Sequence, residues 1–214
     1  MRLSVFASGS GTNFQAILDS ISSGLLDAEP ALFLSDNPDA YAIERAHRAN
    51  VPTVVIKRKD FPDKDSYVKA MLSALDESNS DFIALAGYMK LVPAEVVDSF
   101  RNRITNIHPA LIPSFCGKGF YGMRVHRAVI EQGCKVSGVT VHLVDERYDT
   151  GPIIAQRCVP VYSDDTPDKL AERIHPVEHR LYPRVLQLFS VGAIRVDGRI
   201  VRIDKKWRGF VEDF

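Results

Sequence analysis

The sequence predicts an α/β fold in which a mostly parallel sheet is covered by helices on both faces. Short apolar runs alternate with segments of helical period along the first half of the chain, which is the pattern of such a sheet. Several runs are continuously apolar, as expected of strands buried on both faces. We predict strands at residues 2–7, 31–34, 53–56, 81–86 and 103–107. The expected architecture is therefore Rossmann-like.

Helices are predicted between these strands. Two sets of apolar residues follow the i, i+3, i+4, i+7 spacing of an amphipathic helix: Phe14, Ile17, Leu18 and Ile21, and then Val68, Met71, Leu72 and Leu75. The first helix starts at Thr12-Asn13-Phe14-Gln15, which has the pattern of a capping box. Asn37-Pro38 is expected to open a further helix that runs through Arg45.

The second half of the chain has a different pattern. Residues 136–144 alternate between two faces, which predicts a strand, and a second strand is expected at 153–159. Thr166-Pro167 then starts a long helix, in which Pro176 and Pro183 interrupt the apolar stripe and predict a kink or a break. Residues 194–203 are expected to form a hairpin that turns at Asp197-Gly198. Because no repeat or linker separates these segments, we expect a single domain.

Composition limits the classes of function. The chain has 214 residues with 27 basic and 27 acidic side chains, so no basic field attracts nucleic acid or an anionic membrane. No apolar run reaches the roughly 20 residues that span a bilayer, and the N-terminus lacks a signal-peptide pattern. The three cysteines form no Cys-x-x-Cys pair, which predicts neither disulfides nor a zinc site. We therefore expect a cytoplasmic protein that acts on small molecules.

A glycine-rich loop, Ser8-Gly9-Ser10-Gly11-Thr12-Asn13, follows the first predicted strand and precedes a helix. The unpaired N–H groups of a helix N-terminus attract anions, and glycines allow a phosphate to approach the backbone. The alternative is that the glycines only make a tight turn. The loop lacks the lysine of a P-loop, and Phe14 replaces the third glycine of a dinucleotide fingerprint, although Asp36 could imitate its ribose-binding acid. A monophosphate is thus favoured over NAD.

A second polar motif, Asn106-Ile107-His108-Pro109, ends the fifth predicted strand, where ligands bind in parallel α/β sheets. Asn106 and His108 share one face of an extended strand. The amide of Asn106 could donate to a developing oxyanion, and His108 could exchange protons near neutral pH. Asp149, in a later acidic loop, is the candidate partner that would raise the pKa of His108 and keep it charged near neutral pH. Each motif also has a purely structural explanation when it is considered alone. Asn106 and His108 could be a structural pair whose hydrogen bonds are made within the protein, and the acidic loop could be a solvent-exposed hairpin loop.

Together, five segments resemble the phosphoribosylglycinamide formyltransferases, also called glycinamide ribonucleotide transformylases, among the 10-formyltetrahydrofolate-dependent enzymes. The segments, in order, are Ser8 to Ile17, Ala86-Gly87-Tyr88-Met89-Lys90-Leu91-Val92, Asn106-Ile107-His108-Pro109, Gly138-Val139-Thr140-Val141-His142 and Asp149-Thr150-Gly151-Pro152-Ile153. The resemblance covers nearly the whole chain. It implies transfer of a formyl group from 10-formyltetrahydrofolate to the amino group of glycinamide ribonucleotide in purine (IMP) biosynthesis, without a metal.

The resemblance also implies roles for individual residues. His108 would be the general acid, Asp149 would raise its pKa, Asn106 would stabilise the oxyanion, and His142 would support the site. The ribonucleotide would be bound by Gly11, Thr12, Asn13 and Glu178. The folate would be bound by Lys64, Met89, Lys90, Leu91, Val92, Asn106, Asp145, Glu146, Arg147, Tyr148 and Asp149. Residues 1–214 would form one formyltransferase domain, with a nucleotide- and phosphate-binding half at 1–105 and a catalytic and folate-binding half at 106–214, as a monomer or homodimer.

Three features depart from the pattern of this family. The segment Ser114–Gly122 is longer and richer in glycine than expected, which could make it a flap. Lys64 and Lys90 stand where arginine is common, and lysine cannot bind a carboxylate in a bidentate manner. Pro176 lies beside the expected ribonucleotide contacts at 175–178.

Other functions would leave other signs. A formyltetrahydrofolate hydrolase normally has an additional N-terminal regulatory domain, and a methionyl-tRNA formyltransferase has a C-terminal tRNA-binding domain and a basic surface. An NAD-dependent oxidoreductase would use Gly9, Gly11 and Asp36. A non-catalytic nucleotide-binding module would keep the glycine loop but would have no use for His108 and Asp149.

Overall fold

The computed structural model describes residues 1–212, and its strands form an α/β sheet of the predicted kind. Seven strands make one sheet: β1 (Arg2–Phe6), β2 (Glu29–Ser35), β3 (Thr53–Val55), β4 (Phe82–Leu85), β5 (Ile104–His108), β6 (Val136–Leu143) and β7 (Ile153–Pro160). Their order across the sheet is β3-β2-β1-β4-β5-β6-β7. The pairs β1–β2, β1–β4 and β2–β3 are parallel, whereas β6–β7 is antiparallel. The mostly parallel α/β fold is confirmed.

The helices lie between and after these strands. They are α1 (Thr12–Ser22), α2 (Tyr41–Arg48), α3 (Lys64–Glu77), α4 (Ala94–Ser99), α5 (Met123–Glu131), α6 (Pro167–Ser190) and α7 (Arg208–Glu212). None of the helices within residues 1–212 is long and apolar enough to cross a membrane. The chain divides into two compact units, Met1–Thr105 and Asn106–Phe214.

The core of the first unit explains why its apolar runs become strands. Leu3, Val5 and Phe6 of β1 are at most 1% exposed, because parallel neighbours and helices cover them. Phe14 of α1 stacks on Phe33 of β2 with 4.8 Å between the ring centroids. Burial of one such aromatic side chain contributes about 1.5–3 kcal/mol. This core holds the start of α1, and therefore the glycine loop, at the end of β1.

In this unit the predicted start of the first helix at Thr12 is confirmed, but its predicted capping box and the predicted start of the second helix are wrong. The helix α1 begins after Gly11, whose backbone is left-handed (φ 70°), and no side chain caps it, so Thr12 and Gln15 form no capping box. The helix α2 begins at Tyr41 instead of after Asn37-Pro38. The Asn37 side chain accepts a hydrogen bond from the Asp39 N–H and donates one to the Ser8 carbonyl, and these contacts hold a turn where a helix was expected.

The second unit is built on the β6–β7 hairpin and α6. Thr166 caps α6 by accepting a hydrogen bond from the Lys169 N–H, and the helix then continues to Ser190, so the predicted break at Pro176 and Pro183 does not occur. Each internal proline costs about 3 kcal/mol. The buried stripe of α6, including Leu170 and Leu188 at its two ends, offsets that cost by packing on both sides of the prolines.

A small antiparallel hairpin follows α6, as predicted. It consists of β8 (Ile194–Asp197) and β9 (Ile200–Ile203), with Asp197 opposite Ile200. The turn therefore lies at Gly198-Arg199, one residue later than expected. Gly198 has a φ of 56°, a conformation that glycine adopts without steric cost.

Candidate active site

Four polar side chains of the second unit form a buried cluster, which we call the His108 cluster: Asn106, His108, His142 and Asp149. Asp149 Oδ2 lies 3.8 Å from His108 Nδ1, and Asp149 Oδ1 lies 3.6 Å from His142 Nε2. Asn106 Nδ2 donates to Asp149 Oδ1 at 3.3 Å and lies 3.2 Å from His142 Nε2. The side chains of His108, His142 and Asp149 are only 5%, 2% and 10% exposed. The structure thus brings the three predicted catalytic residues and His142 together.

Strand geometry and a strained loop position the cluster. Asn106 and His108 are two residues apart on β5, so both side chains point to the same face of the strand. Asp149 has a left-handed backbone with a φ of 56°, which is unusual for a residue with a side chain. At Gly151, a Cβ atom would lie 1.8 Å from the Leu143 carbonyl oxygen, so only glycine permits this approach of the loop to β6.

The tautomer of His108 follows from its contact with the loop after β5. His108 Nε2 lies 2.8 Å from the Phe115 carbonyl oxygen, which can only accept a hydrogen bond, so Nε2 carries a hydrogen. In the neutral imidazole, Nδ1 then has a lone pair that faces the Asp149 carboxylate. A proton taken up at Nδ1 would form an ion pair with Asp149. In the free protein, Nδ1 is therefore the ring nitrogen that is open to protonation.

The expectation that Asp149 keeps His108 charged near neutral pH is wrong for the free protein. Burial lowers the pKa of His108 more than Asp149 and the Phe115 carbonyl raise it, and His142 lowers it further. The influence of Asp149 has the predicted sign, but it is smaller than that of burial. Burial raises the pKa of Asp149 itself, yet His142, His108 and the Gly117 N–H lower it more, so the carboxylate stays ionised at neutral pH. A neutral imidazole thus faces an anionic carboxylate.

Asn106 is already hydrogen-bonded in the free protein. His142 Nδ1 lies 2.7 Å from the Leu143 carbonyl and donates to it, which leaves His142 Nε2 as an acceptor in the neutral ring. The Asn106 amide then donates one hydrogen to His142 and the other to Asp149. Donation to a substrate oxygen requires Asn106 to exchange one of these partners, and the contact with Asp149 is the longer of the two.

Backbone groups of the Ser114–Gly122 segment contact the cluster. Besides the Phe115 carbonyl on His108, the Gly117 N–H donates to Asp149 Oδ2 at 2.8 Å. Sequence analysis missed both contacts, because backbone atoms leave no residue type to recognise. The glycine content of the segment was the only signal available.

In the glycine loop of the first unit, two backbone carbonyl groups accept hydrogen bonds from α2. The Ala42 N–H donates to the Gly9 carbonyl at 3.1 Å, and Arg45 Nε donates to the Ser10 carbonyl at 2.8 Å. A Cβ atom at Gly11 would lie 2.6 Å from the Ala42 Cβ, so glycine permits this packing. Within residues 1–212, no N–H group from Gly9 to Phe14 donates a hydrogen bond to the protein, so the loop presents free donors. Arg45 is the contact that sequence analysis missed.

The predicted folate residues of the first unit lie in a loop and at a helix start. The Met89 N–H donates to Ser8 Oγ at 2.9 Å, and the side chains of Met89 and Leu91 are about two-fifths exposed, whereas Val92 is buried. Lys64 Nζ pairs with Glu95 at 2.6 Å. Lys90 Nζ lies 3.8 Å from Asp36, which also accepts a hydrogen bond from the Ser8 hydroxyl. Because Asp36 is engaged in these contacts, it is poorly suited to bind the ribose of a dinucleotide.

The remaining predicted residues lie in the second unit. Asp145 accepts hydrogen bonds from the Arg147 N–H and the Thr150 hydroxyl, so it orders the loop that carries Asp149. Glu146 and Arg147 are exposed, as is about a third of Tyr148. Glu178 is a buried residue of α6. Within residues 1–212, no group of three or more His, Cys, Asp or Glu side chains is arranged to hold a metal ion.

Comparisons with known proteins identify the family. Residues 1–186 match the formyl transferase family. The chain is 43% identical over 208 residues to a chloroplastic phosphoribosylglycinamide formyltransferase of Arabidopsis thaliana, with 97% of this chain and 68% of that protein covered. It is 39% identical over 186 residues to the phosphoribosylglycinamide formyltransferase of Bacillus subtilis, with 87% and 93% covered.

A solved structure agrees with this assignment and with the resemblance found in the sequence. Glycinamide ribonucleotide transformylase 1 from Symbiobacterium toebii superposes with a TM-score of 0.90 at 42% identity, and the match covers 96% of this chain and 94% of that one. The chain therefore belongs to the formyl transferase family, and within it to the phosphoribosylglycinamide formyltransferases.

Proposed function

We propose that the protein transfers the formyl group of 10-formyltetrahydrofolate to the amino group of glycinamide ribonucleotide, as a cytoplasmic enzyme of purine (IMP) biosynthesis. The observation that supports this most strongly is the His108 cluster, in which a neutral imidazole lies 3.8 Å from a buried carboxylate. The names of the relatives identify the acceptor that such a site would serve in this family.

The proton balance of the reaction fits a histidine that starts neutral. The attacking amine loses one proton and the folate nitrogen gains one, so no net proton is consumed. His108 accepts the proton of the attacking nitrogen and then donates a proton to the leaving folate nitrogen. Asp149 stabilises the imidazolium that exists between the two transfers, because the carboxylate raises the pKa of His108. His108 therefore acts as the general acid in the second half of the reaction, after it has acted as a base.

Asn106 is proposed to stabilise the oxyanion of the tetrahedral intermediate. As the amine attacks, negative charge develops on the formyl oxygen, and an amide N–H stabilises that charge. The formyl oxygen would replace Asp149 as the acceptor of one Asn106 hydrogen, while His142 retains the other. Before the amine attacks, the reacting nitrogen would replace the Phe115 carbonyl as the partner of His108 Nε2. The neutral ring would at the same time change to the tautomer with its hydrogen on Nδ1, facing Asp149, so that Nε2 can accept the proton of the amine.

Substrate binding is proposed for the two units separately. In the first unit, the free N–H groups of Gly11, Thr12 and Asn13 bind the phosphate of the ribonucleotide, with Arg45 holding the loop. The loop Met89–Val92 contacts the folate. In the second unit, Asp145–Asp149 contact the folate and Glu178 contacts the ribonucleotide.

A test of acceptors distinguishes this proposal from related activities. The protein is mixed with 10-formyltetrahydrofolate and one acceptor at a time, and tetrahydrofolate formation is followed by absorbance. We expect formation that depends on glycinamide ribonucleotide. Equal rates with water alone would identify a hydrolase, and inertness with every acceptor would refute the enzyme class. Saturation-transfer NMR with NAD tests the oxidoreductase alternative, and we expect no transfer.

A further inference from the structure

The β8–β9 hairpin packs beside the loop that carries Asp149. Along both of its strands, apolar side chains that are partly buried alternate with exposed ones, so the hairpin has one apolar face: Ile194, Val196, Val201 and Ile203. The strand β9 packs against β7, which directly follows the Asp149 loop in the chain. This packing brings the tip of the hairpin, Gly198-Arg199, to the loop.

One side chain of the hairpin tip holds the backbone of the loop. Arg199 Nη1 donates a hydrogen bond to the Thr150 carbonyl oxygen at 3.0 Å, although 49 positions separate the two residues. Thr150 directly follows Asp149, and its hydroxyl donates to Asp145 Oδ1 at 2.6 Å. Since the Thr150 side chain is tied within the loop and its carbonyl is tied to the hairpin, the orientation of the peptide after Thr150 is fixed.

The backbone of Asp149 needs such support. Its φ of 56° is left-handed, which costs free energy for a residue with a side chain and persists only where surrounding contacts hold it. The Gly117 N–H holds the Asp149 carboxylate at 2.8 Å, and Gly151 lies directly against the Leu143 carbonyl. Arg199 acts between these two points, on the residue next to Asp149.

We infer that Arg199 is a positioning residue for formyl transfer, because its hold on the Thr150 carbonyl keeps the Asp149 carboxylate facing His108. This inference rests on the proposed function. Arg199 is exposed, and its side chain contacts the loop backbone instead of the His108 cluster. Its effect on His108 therefore passes through Asp149.

The pKa of His108 reports where Asp149 lies. Burial and His142 lower this pKa, whereas Asp149 and the Phe115 carbonyl raise it, and His126 is a further titratable group close enough to interact with His108. Loss of a positive charge at Arg199 would by itself raise the pKa of a histidine, but displacement of Asp149 would lower it. The direction of the change thus separates positioning from a simple effect of charge.

The test uses Arg199→Met, which removes the hydrogen-bond donors and keeps a long side chain. NMR titration of the His108 ring should give a lower pKa than in the unaltered protein, with a smaller shift than in Asp149→Asn. We expect kcat to fall roughly twofold to tenfold, as for the loss of one hydrogen bond, and the acid limb of kcat/KM to move to lower pH. The KM for the ribonucleotide should stay unchanged. Arg199→Lys keeps a cationic donor and should recover part of the lost activity.

Arg195→Met is the matched control, because Arg195 is an exposed arginine of the same hairpin whose side chain makes no hydrogen bond or ion pair with any residue between 1 and 212. Equal changes in Arg195→Met would overturn the inference, since they would indicate a general effect of the hairpin. An unchanged or raised pKa of His108 in Arg199→Met would also overturn it, as would a loss confined to the KM for the folate. Failure of the proposed function is distinguishable, because the NMR titration needs no substrate and would still show the shift in a protein that transfers no formyl group.

Discussion

Replacing Asp149 by asparagine removes one negative charge from the His108 cluster and preserves the size of the side chain. Asp149 Oδ2 lies 3.8 Å from His108 Nδ1. A full charge pair at that distance is worth about 1 kcal/mol in water and about 4 kcal/mol at an effective dielectric constant of 20. Because both side chains are at least nine-tenths buried, we expect the interaction energy of the pair to be closer to about 4 kcal/mol than to about 1 kcal/mol. Since this attraction stabilises the imidazolium during the reaction, Asp149→Asn should lower kcat roughly fivefold to a thousandfold, and we expect a value near the upper end of that range.

The pH dependence of Asp149→Asn gives a second readout. Asp149 raises the pKa of His108, while burial keeps that pKa below its ordinary value. Because the proposed reaction starts from the neutral imidazole, kcat/KM should decline as pH falls through this lowered pKa. Without the carboxylate, the pKa of His108 falls further, so the acid limb should move to lower pH.

Steady-state kinetics across pH, with both substrates varied, measure these effects. Asp164→Asn is the control, since it makes the same chemical change at an exposed side chain paired with Lys169 and should leave the profile unchanged. Unfolding by urea establishes that each variant is folded. An acid limb that stays in place in Asp149→Asn, together with an unaltered kcat, would refute the role assigned to Asp149.

Three further predictions concern the glycine loop and a buried histidine. Gly11→Ala places a Cβ atom 2.6 Å from the Ala42 Cβ at a residue whose φ is 70°. The substitution should lower the free energy of unfolding, measured in urea, by about 1–3 kcal/mol and raise the KM for the ribonucleotide. A variant as stable as the unaltered protein would contradict the close packing of Gly11 against Ala42. Arg45→Gln should raise the KM for the ribonucleotide and leave that for the folate unchanged, with partial recovery in Arg45→Lys, whereas a loss confined to kcat would count against a role in phosphate binding. Burial first, and then neighbouring histidines, lower the pKa of His126 to about 4. Since the unfolded chain binds more protons between about pH 4 and 6.5, the free energy of unfolding should fall by up to about 3 kcal/mol as pH drops through that window. His126→Asn should make the free energy of unfolding less dependent on pH between about pH 4 and 6.5. The same pH dependence in the variant and the unaltered protein would contradict the lowered pKa of His126.

The strands and part of the cluster were predictable from local patterns. Continuously apolar runs identified β2 and β4, since a strand that is buried on both faces needs apolar side chains at nearly every position. The alternation of side chains along a strand placed Asn106 and His108 on one face before their contacts were known. The partnership with Asp149 required the family resemblance, because 40 residues separate it from β5 in a loop that carries no periodic pattern.

Other features depend on tertiary contacts that a sequence does not display. The start of α2 is set by hydrogen bonds from Asn37 to Ser8 and Asp39, which outweigh the local Asn-Pro signal. Arg45 reaches the glycine loop only because Gly11 lets α2 pack against it. The sequence predicts that Asp149 raises the pKa of His108, and the structure agrees with that direction. The overall lowering of this pKa was not predictable, because it depends on how deeply the ring is buried.

The most direct test of the account follows the formyl group itself. The protein is incubated with 10-formyltetrahydrofolate labelled with ¹³C in the formyl group and with glycinamide ribonucleotide, and the label is traced by NMR. We predict that the label appears on the amino nitrogen of the ribonucleotide, and that His108→Asn slows its appearance by roughly 10² to 10⁴-fold. Label recovered as free formate, or transfer at the same rate without His108, would contradict the account.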